Sequence, residues 1–407
     1  MDDAHDSLNS PGAYQMAAWT LRLADSHSFS WLLCADPHLF GLFYATCAAT
    51  VPPPGPLAGE REVSGGASEK LLPTLRDLQR QFGDDTSGRF ARLYLRGTRV
   101  FTLADRDPDA YRKAVREWRE AAEAKASQLI TSREQSVDWL TGLLGLEEVE
   151  RKLLIFQLGR HQPGFAQLFD LLMGFDRATA SVLAATFNVG EHEIVSALSE
   201  NAKLVRSGLL RVQERPLRIS EMSTHLRATL TETARDETEF LQHFVKPLAP
   251  SPTTSSLARL HDDDERILRG ILRLSMPDDR GLHALVYGPK AVDKFDMVAR
   301  LLREEHLNGF AVITKQVPAG DLPSWVYIAQ RHMESSHPGA VLVVDRAHEA
   351  LASRNRSPFS IFGIEDDEPD EVQARASDEG LTASRVRCVW LSDRAKLLSE
   401  RNLGAFL

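Results

Sequence analysis

The sequence predicts a mixed fold: a mostly α-helical N-terminal half followed by an α/β part built on a parallel sheet. Helical periodicity is clearest from Pro108 to Ile130, where Tyr111, Val115, Trp118 and Ala122 recur at steps of three and four. The stretch from residue 258 to residue 407 instead alternates short apolar runs with helical segments. That alternation is typical of a parallel sheet covered by helices.

Length and composition exclude several classes of protein. A chain of 407 residues is long enough for two or three domains, and 43% hydrophobic with 26% charged residues is typical of a folded globular protein. The net charge of −9 gives no bulk attraction to nucleic acid or anionic membranes. No apolar run reaches the roughly 20 residues of a membrane span. Cys34, Cys47 and Cys388 lie far apart, without the spacing of a disulfide framework or a metal site, and the N-terminus is acidic and polar. We therefore expect a cytoplasmic protein without a membrane partner.

Breaks in composition divide the chain into segments. Residues 51–68 hold four prolines and four glycines, and residues 247–256 hold three prolines and five Ser or Thr, so both predict linkers without a helix or a central strand. The expected organisation is a helical segment (1–50), a linker (51–68), an α/β or helical domain (69–135), a helical module (136–246), a second linker (247–257) and the α/β domain (258–407). Within 69–135, Phe90 to Leu103 predicts a hairpin centred on Gly97.

The module of residues 136–246 has the element order of a winged helix-turn-helix. A helix running to Phe187, a turn ending at Gly190, a second helix and a hairpin-like segment follow one another. DNA binding and a structural or protein-facing role are both open for such a module. The second helix opens with Glu191 and Glu193 and closes with Glu200, and these carboxylates would repel phosphate. We therefore expect the structural or protein-facing role and no DNA partner.

The chemistry-bearing residues lie in the last segment. Ala284 to Tyr287 predicts a buried strand, Gly288-Pro289 ends it, and Lys294 opens the next helix. Strand, glycine loop and helix with an early lysine is the arrangement of a phosphate-binding loop. Two further apolar strands end at Asp345 and Asp393, and parallel strands bind ligands at their carboxyl ends.

Three segments from this part of the chain resemble the large subdomain of an AAA-family ATPase: VYGPKAVDKF, VLVVDRAHEAL and CVWLSDRAKLL, in that order, within roughly residues 258 to 407. The stretch from Trp139 to Gln213 also resembles the domain that precedes the ATPase module in some bacterial members. The resemblance implies that Gly288, Pro289 and Lys294 form an altered Walker A loop for nucleotide. It implies that Asp345 is the Walker B-like residue that would hold Mg²⁺ with the nucleotide. It also implies that Asp393 occupies the sensor position, where the family has Asn.

Departures from the family pattern fall on the residues that perform hydrolysis. Ala291 and Asp293 replace loop glycines, and Phe295 replaces the Ser or Thr whose hydroxyl binds Mg²⁺. Arg346 replaces the Glu that polarises the attacking water, so no catalytic residue is assigned. The sequence ends at Leu407, and we expect the arginine finger, the second sensor and the helical lid to be missing.

The resemblance and its departures together predict a degenerate, P-loop-type pseudo-ATPase. ATP and Mg²⁺ would be bound weakly or not at all, and hydrolysis by this chain alone is not expected. The expected role is a scaffold or adaptor for a protein partner or for an AAA-type assembly. The alternative is an ATP-dependent remodelling ATPase whose missing groups come from neighbouring subunits or a second chain.

Overall fold

The computed structural model describes most of the chain, in ranges separated by gaps. These ranges are 11–26, 37–58, 93, 96–97, 107–128, 132–161, 164–173, 178–214, 217–220, 222–231, 234, 236–248, 262–274, 281–288, 294–351 and 379–394. Two compact units divide the chain. The first comprises Met1–Glu134, Lys152–Ser196 and Arg215–Arg218, and the second comprises Gln135–Arg151, Ala197–Glu214 and Ile219–Leu407.

Helices make up most of the described structure, and the strands cluster late in the chain. The helices are α1 (Pro11–Asp25), α2 (Pro37–Thr50), α3 (Gly55–Ala58), α4 (Pro108–Gln128), α5 (Ser132–Leu144), α6 (Glu148–Gly159), α7 (Phe165–Met173), α8 (Ala178–Phe187), α9 (Glu191–Ala197), α10 (Lys203–Arg206), α11 (Thr224–Thr231), α12 (Glu237–Leu241), α13 (Asp262–Arg273), α14 (Lys294–Glu304), α15 (Leu322–Ser336) and α16 (Ala347–Ala350). The strands are β1 (Val212–Glu214), β2 (Leu217–Ile219), β3 (Val245–Pro247), β4 (His283–Tyr287), β5 (Gly309–Val312), β6 (Val341–Val344) and β7 (Arg387–Ser392). The fold is therefore mixed α/β, as predicted. None of the described helices combines the length and the apolar character needed to cross a membrane.

The first unit is built around the amphipathic helix α4, which packs along α1. Its apolar stripe is buried, as the periodicity predicts. The Trp118 ring lies 5.5 Å from the Tyr44 ring, and its indole N–H donates to the Val51 carbonyl at 2.9 Å. A buried indole that both packs and donates needs no further partner.

The Pro/Gly-rich segment 51–68 begins as packed structure. Gly55–Ala58 forms one helical turn, Leu57 is buried, and the Tyr44 hydroxyl donates to the Leu57 carbonyl at 2.8 Å. The expectation that this composition excludes a helix is wrong for this turn, because the buried leucine and the tyrosine anchor it. Residues 59–68, and residues 249–257 of the second predicted linker, lie outside the described residues.

The predicted hairpin centred on Gly97 is also wrong where the structure describes it. Leu93, Arg96 and Gly97 are helical. A Cβ atom at Gly97 would lie 2.6 Å from the Cβ of Tyr44 and 3.0 Å from the Cα of Gly41. The glycine permits a close approach to α2 and is not required by a turn.

The helical module has the predicted order of elements. Helix α8 is followed by a turn in which Asn188 is left-handed (φ 55), then by α9, the short helix α10 and the two-stranded sheet of β1 and β2. A hydrogen bond from the Ser220 N–H to the Arg211 carbonyl (2.9 Å) closes the hairpin. The winged-helix interpretation of this order stays a prediction.

The second unit contains a five-stranded sheet of order β3-β5-β6-β7-β4. Strands β5, β6, β7 and β4 are parallel to their neighbours, and only β3 is antiparallel, pairing with β5 through Val245↔Val312. Strands β4, β6 and β7 lie where the sequence predicts them, and β5 ends at Val312, well before Gly320, where the apolar run that begins at Ala311 was expected to end. The strand β3 was not predicted, because three residues ending in proline carry no recognisable periodicity.

Both faces of the sheet are covered, so its central strands are buried throughout. Alternate residues of β4, β6 and β7 form one core with α13 and α14: Ala284, Val286, Val341, Val343, Val389 and Leu391 pack with Leu268, Leu272, Met297, Val298, Leu301 and Leu302. On the other face, α15 contacts β5 and β6, and Gln330 donates to the Cys388 thiol at 3.5 Å. The near-continuous apolar strands of the sequence follow from this double cover.

The residues that precede the second predicted linker belong to the same unit as the sheet. Trp325 of α15 packs 4.8 Å from Phe244, and its indole N–H donates to the His243 carbonyl at 3.1 Å. The buried carboxylate of Asp321 accepts a hydrogen bond from the Ser223 hydroxyl at 2.5 Å. Residues 219–248 and the strands of the five-stranded sheet therefore belong to one compact unit.

Candidate functional site

The carboxyl ends of the parallel strands place three of the predicted site residues at one edge of the sheet. Gly288 follows β4, Asp345 follows β6 and Asp393 follows β7. The Gly288 N–H donates to the carbonyl of Ser392 at 3.1 Å, which extends the β4–β7 register to this edge. Pro289, like Ala291 and Asp293 of the predicted loop, lies outside the described residues.

Lys294 begins α14, the position that a phosphate-loop lysine requires, but its ammonium group is bonded within the protein. Its Nζ atom donates to the Gly288 carbonyl at 3.2 Å, and the residue is only 8% exposed. This hydrogen bond uses one of the three donors of the ammonium group. The lysine here connects the start of the helix to the end of β4.

Asp345, the predicted Mg²⁺ ligand, is exposed at the end of β6. Its Oδ1 atom accepts a hydrogen bond from the Arg346 N–H at 2.8 Å. Arg346 itself is left-handed (φ 59, ψ 38), a conformation that costs a residue with a long side chain roughly 1 kcal/mol. Contacts of the arginine side chain must offset this cost.

The Arg346 guanidinium makes those contacts. Its Nη1 atom donates to the carbonyls of Thr314 and Val317, both at 2.7 Å, and Nε donates to Oε1 of Glu349 at 3.0 Å. The hydrogen bond with Glu349 raises the pKa of Arg346 and lowers the pKa of Glu349, so both groups are charged at neutral pH. Arg346 therefore connects the loop after β5 to α16.

A histidine that sequence reasoning missed lies beside this pair. His348 is buried, with Nδ1 at 3.2 Å from the Ser392 hydroxyl and 3.5 Å from Oδ1 of Asp393. Its Nε2 atom lies 3.6 Å from Oε1 of Glu349. No motif marks this cluster; only the pairing of β6 with β7, which brings the residues after both strands together, could have indicated it.

The cluster contains a hydroxyl, an imidazole and carboxylates, the residue types of a nucleophilic triad. Ser392, however, is 1% exposed, and its hydroxyl also accepts a hydrogen bond from the Arg394 N–H at 3.1 Å. A nucleophile must reach a substrate, and this hydroxyl is enclosed by protein. The arrangement connects α16 to the end of β7 and does not provide an attacking oxygen.

The residues present do not fit the Mg²⁺ ion that the resemblance implies. Phe295, at the position of the metal-binding hydroxyl, packs its ring against the core under the sheet. Asp345 is left as the one carboxylate that the resemblance assigns to the ion. Across the described ranges, no group of three or more His, Cys, Asp or Glu side chains is arranged to hold a metal.

Comparison of the chain with protein-family models, with curated proteins and with solved structures finds no match.

Proposed function

We propose that this chain is a non-hydrolysing, AAA-like protein in which a degenerate nucleotide site serves as a scaffold. The observation that carries the proposal is the position of Arg346. Its guanidinium donates to two carbonyls and to Glu349 at the place where hydrolysis needs a carboxylate to polarise water. A cation held in this way stabilises two loops and cannot accept a proton.

The order of the strands supports the AAA-like part of the proposal. The resemblance places the phosphate loop, the Walker B-like residue and the first sensor at the ends of three strands of one sheet. Here β7, which ends beside Asp393, lies between β4, which leads to Gly288, and β6, which leads to Asp345. This is a fold-level analogy, so the function is argued from the residues at the edge.

The chemistry of the edge supports the loss of hydrolysis. Phosphoryl transfer relies on positioning and on charge stabilisation by a lysine and Mg²⁺. Lys294 is bonded to the Gly288 carbonyl, and Phe295 offers no oxygen to a metal. Each missing element removes a part of the charge stabilisation, and Arg346 removes the base.

A protein partner is the proposed use of the scaffold. Tyr287, the last residue of β4, is 68% exposed directly before Gly288. Tyrosine is enriched in protein interfaces because one ring supplies both apolar area and a hydroxyl.

The first turn of α9 is acidic, with Glu191 and Glu193, which supports the exclusion of DNA as a partner. Cytoplasmic localisation is also part of this proposal. Cys47 and Cys388 are buried free thiols, which fits a reducing compartment.

One observation favours the alternative, an ATPase completed by a neighbouring subunit or a second chain. The Asp345 carboxylate is exposed at the carboxyl end of β6, where a Walker B-like residue would be needed. A partner that supplied the base and the charge-stabilising groups could then make use of it.

Release of phosphate from Mg²⁺-ATP by the purified full chain tests the proposal. We expect no turnover above that of the variant Lys294→Ala, because base and metal hydroxyl are replaced. The matched control is Lys290→Ala, which removes another lysine of the same loop. Mg²⁺-dependent turnover that is lost in Lys294→Ala and kept in Lys290→Ala would contradict the proposal and favour the alternative.

A further inference from the structure

A cavity of about 590 Å³ lies at the opposite edge of the sheet from the candidate nucleotide site. It opens where β6 and β7 begin and where α15 ends, and all of its lining residues belong to the second unit. Its size is within the roughly 300–1,000 Å³ of small-molecule sites. The charged and titratable residues of the lining are Arg206, Arg331, Glu334, His337, Arg385 and Arg387.

The lining carries four guanidinium groups against one carboxylate. Both carboxylate oxygens of Glu334 accept hydrogen bonds within the protein. Oε2 accepts from Arg331 at 2.6 Å, and Oε1 accepts from the Ser384 hydroxyl at 3.0 Å and from the Arg385 N–H at 2.7 Å. Among the described residues, no carboxylate lies within ion-pair distance of the guanidinium groups of Arg206, Arg385 or Arg387. The cavity is therefore cationic in a chain whose net charge is −9.

Arg387 is a buried arginine of the lining, at the start of β7, and its strand position is on the face of the sheet that α13 covers. The residue is 9% exposed, and Nη2 donates to the Leu274 carbonyl at 2.8 Å. Its Nε atom has no hydrogen-bond partner in the part of the chain that the structure describes. Burial lowers the pKa of this guanidinium. Proteins rarely bury an arginine unless an anion pairs with it.

We propose that this cavity binds a small molecule through a phosphate group carrying two or more negative charges, held by Arg206 and Arg385, with Arg387 adding positive charge nearby. The planar fork of each guanidinium matches two phosphate oxygens, and two such forks match a multiply charged phosphate or diphosphate better than a single carboxylate. The cavity is larger than an inorganic phosphate ion. Apolar lining residues such as Met333 and Val386 leave room for an organic part of the ligand.

The site is independent of the proposed function. It lies at the amino ends of β6 and β7, whereas Gly288, Asp345 and Asp393 lie beyond the carboxyl ends of their strands. Binding here requires no catalytic group. Failure of one proposal therefore leaves the other unaffected.

Calorimetric titration of the full chain with inorganic pyrophosphate, at fixed ionic strength, tests the inference. The variants are Arg206→Gln, Arg385→Gln and the double change, chosen because neither side chain is fully buried and folding is expected to survive. The matched control is Arg303→Gln, an exposed arginine of α14 outside the cavity. We expect pyrophosphate to bind the wild-type chain, each single change to weaken binding about tenfold, and the double change to abolish it.

Three results would overturn the inference. The first is no heat of binding at millimolar pyrophosphate for a wild-type chain whose circular dichroism shows it folded. The second is binding that the double variant retains. The third is an equal loss of affinity in Arg303→Gln, because that would mean non-specific attraction to the surface.

Discussion

The proposed absence of hydrolysis rests on Arg346. Its left-handed backbone is tolerated because the guanidinium reaches Thr314, Val317 and Glu349 together. A glutamate at the same position would face Glu349 and would lose both carbonyl contacts. Restoring the catalytic residue type would thus remove a structural one.

Replacing Arg346 should destabilise the fold. For Arg346→Gln we expect a loss of about 2 kcal/mol in the free energy of unfolding, because charge-assisted hydrogen bonds to two carbonyls disappear. Arg346→Lys should lose a similar amount, since a lysine keeps the charge but not the fork. Urea denaturation measures both, with the exposed Arg303→Gln as a control expected to stay within about 0.5 kcal/mol of wild type. An Arg346→Gln variant as stable as that control would refute the role of Arg346.

His283 offers a residue-scale prediction for pH. Its Nδ1 atom accepts from the Trp390 indole at 3.1 Å, and Nε2 lies 3.3 Å from the Ser384 carbonyl, so the neutral ring with hydrogen on Nε2 satisfies both partners. Burial lowers the pKa of His283 below its ordinary value of 6.5. Because the unfolded chain binds the proton more readily, this contribution to stability is complete above pH 6.5 and is lost as the pH falls below it.

We therefore expect His283→Gln to be less stable than wild type at pH 8 but to lose less stability between pH 7 and pH 5.5. The dependence of the free energy of unfolding on pH should become weaker but should not vanish, because burial also lowers the pKa of His332. Urea denaturation across this pH range is the measurement, with exposed His192→Gln as the control. Parallel pH profiles for wild type and His283→Gln would show that His283 does not carry this dependence.

At the scale of elements, α13 and α14 are joined by a network of ion pairs that the sequence pattern did not indicate. Arg269 contacts Glu265 at 2.7 Å, Glu304, and Glu305 at 2.9 Å. Glu305 also pairs with Arg273 at 2.6 Å, and Glu265 with Arg300 at 2.9 Å. Hydrogen bonds to arginines lower the pKa of Glu265 and of Glu305. The network fixes α14, the helix that begins with Lys294, beside α13.

Arg269→Gln should lower the melting temperature at low ionic strength, because one guanidinium serves three carboxylates. The difference from wild type should shrink in about 1 M NaCl, where the Debye length is only about 3 Å. Arg266→Gln, on the same helix, is the matched control and should have little effect, because among the described residues Arg266 pairs with Asp263 alone, at 2.8 Å. Equal effects of the two substitutions, or an effect of Arg269→Gln that salt does not change, would exclude a network role.

The local elements could be predicted from the sequence because their signals are local. The run before Gly288 and the run before Asp345 are apolar over four or five residues, and both form buried parallel strands. The strand β3 and the packed turn at Gly55–Ala58 could not be predicted. Each depends on a distant partner, β5 in one case and Tyr44 in the other.

The site was predictable in position but not in its contacts. Residues after parallel strands must meet at one edge, and this places Gly288, Asp345 and Asp393 there. Two contacts could not be predicted: the hydrogen bond from Lys294 to the Gly288 carbonyl, and the position of His348 beside Asp393. Both depend on the three-dimensional arrangement of groups, which sequence spacing does not encode.

At the scale of the whole molecule, charge is distributed unevenly. The chain is acidic overall, yet four arginines line the cavity at the amino ends of β6 and β7. The opposite edge holds Lys294 and Asp345, which the resemblance assigns to a nucleotide site, together with Phe295 and Arg346 in place of the metal hydroxyl and the base. The proposed function, a phosphate-binding sheet without hydrolysis, would account for both sets of residues at that edge.

Repair of the loop tests this central claim most directly. The full chain carrying Ala291→Gly, Asp293→Gly and Phe295→Thr loses one repulsive carboxylate, two Cβ atoms and a ring, and regains a hydroxyl. Calorimetric titration with ATP and Mg²⁺ compares this variant with the wild-type chain and with the same variant carrying Lys294→Ala. The circular dichroism spectra of the three proteins must match. We expect the repaired chain to bind ATP without hydrolysing it, since Arg346 is unchanged. We expect no ATP binding by the wild-type chain or by the repaired chain that carries Lys294→Ala. A folded repaired chain that shows no binding at millimolar ATP would mean that Gly288 to Phe295 is only a turn between a strand and a helix.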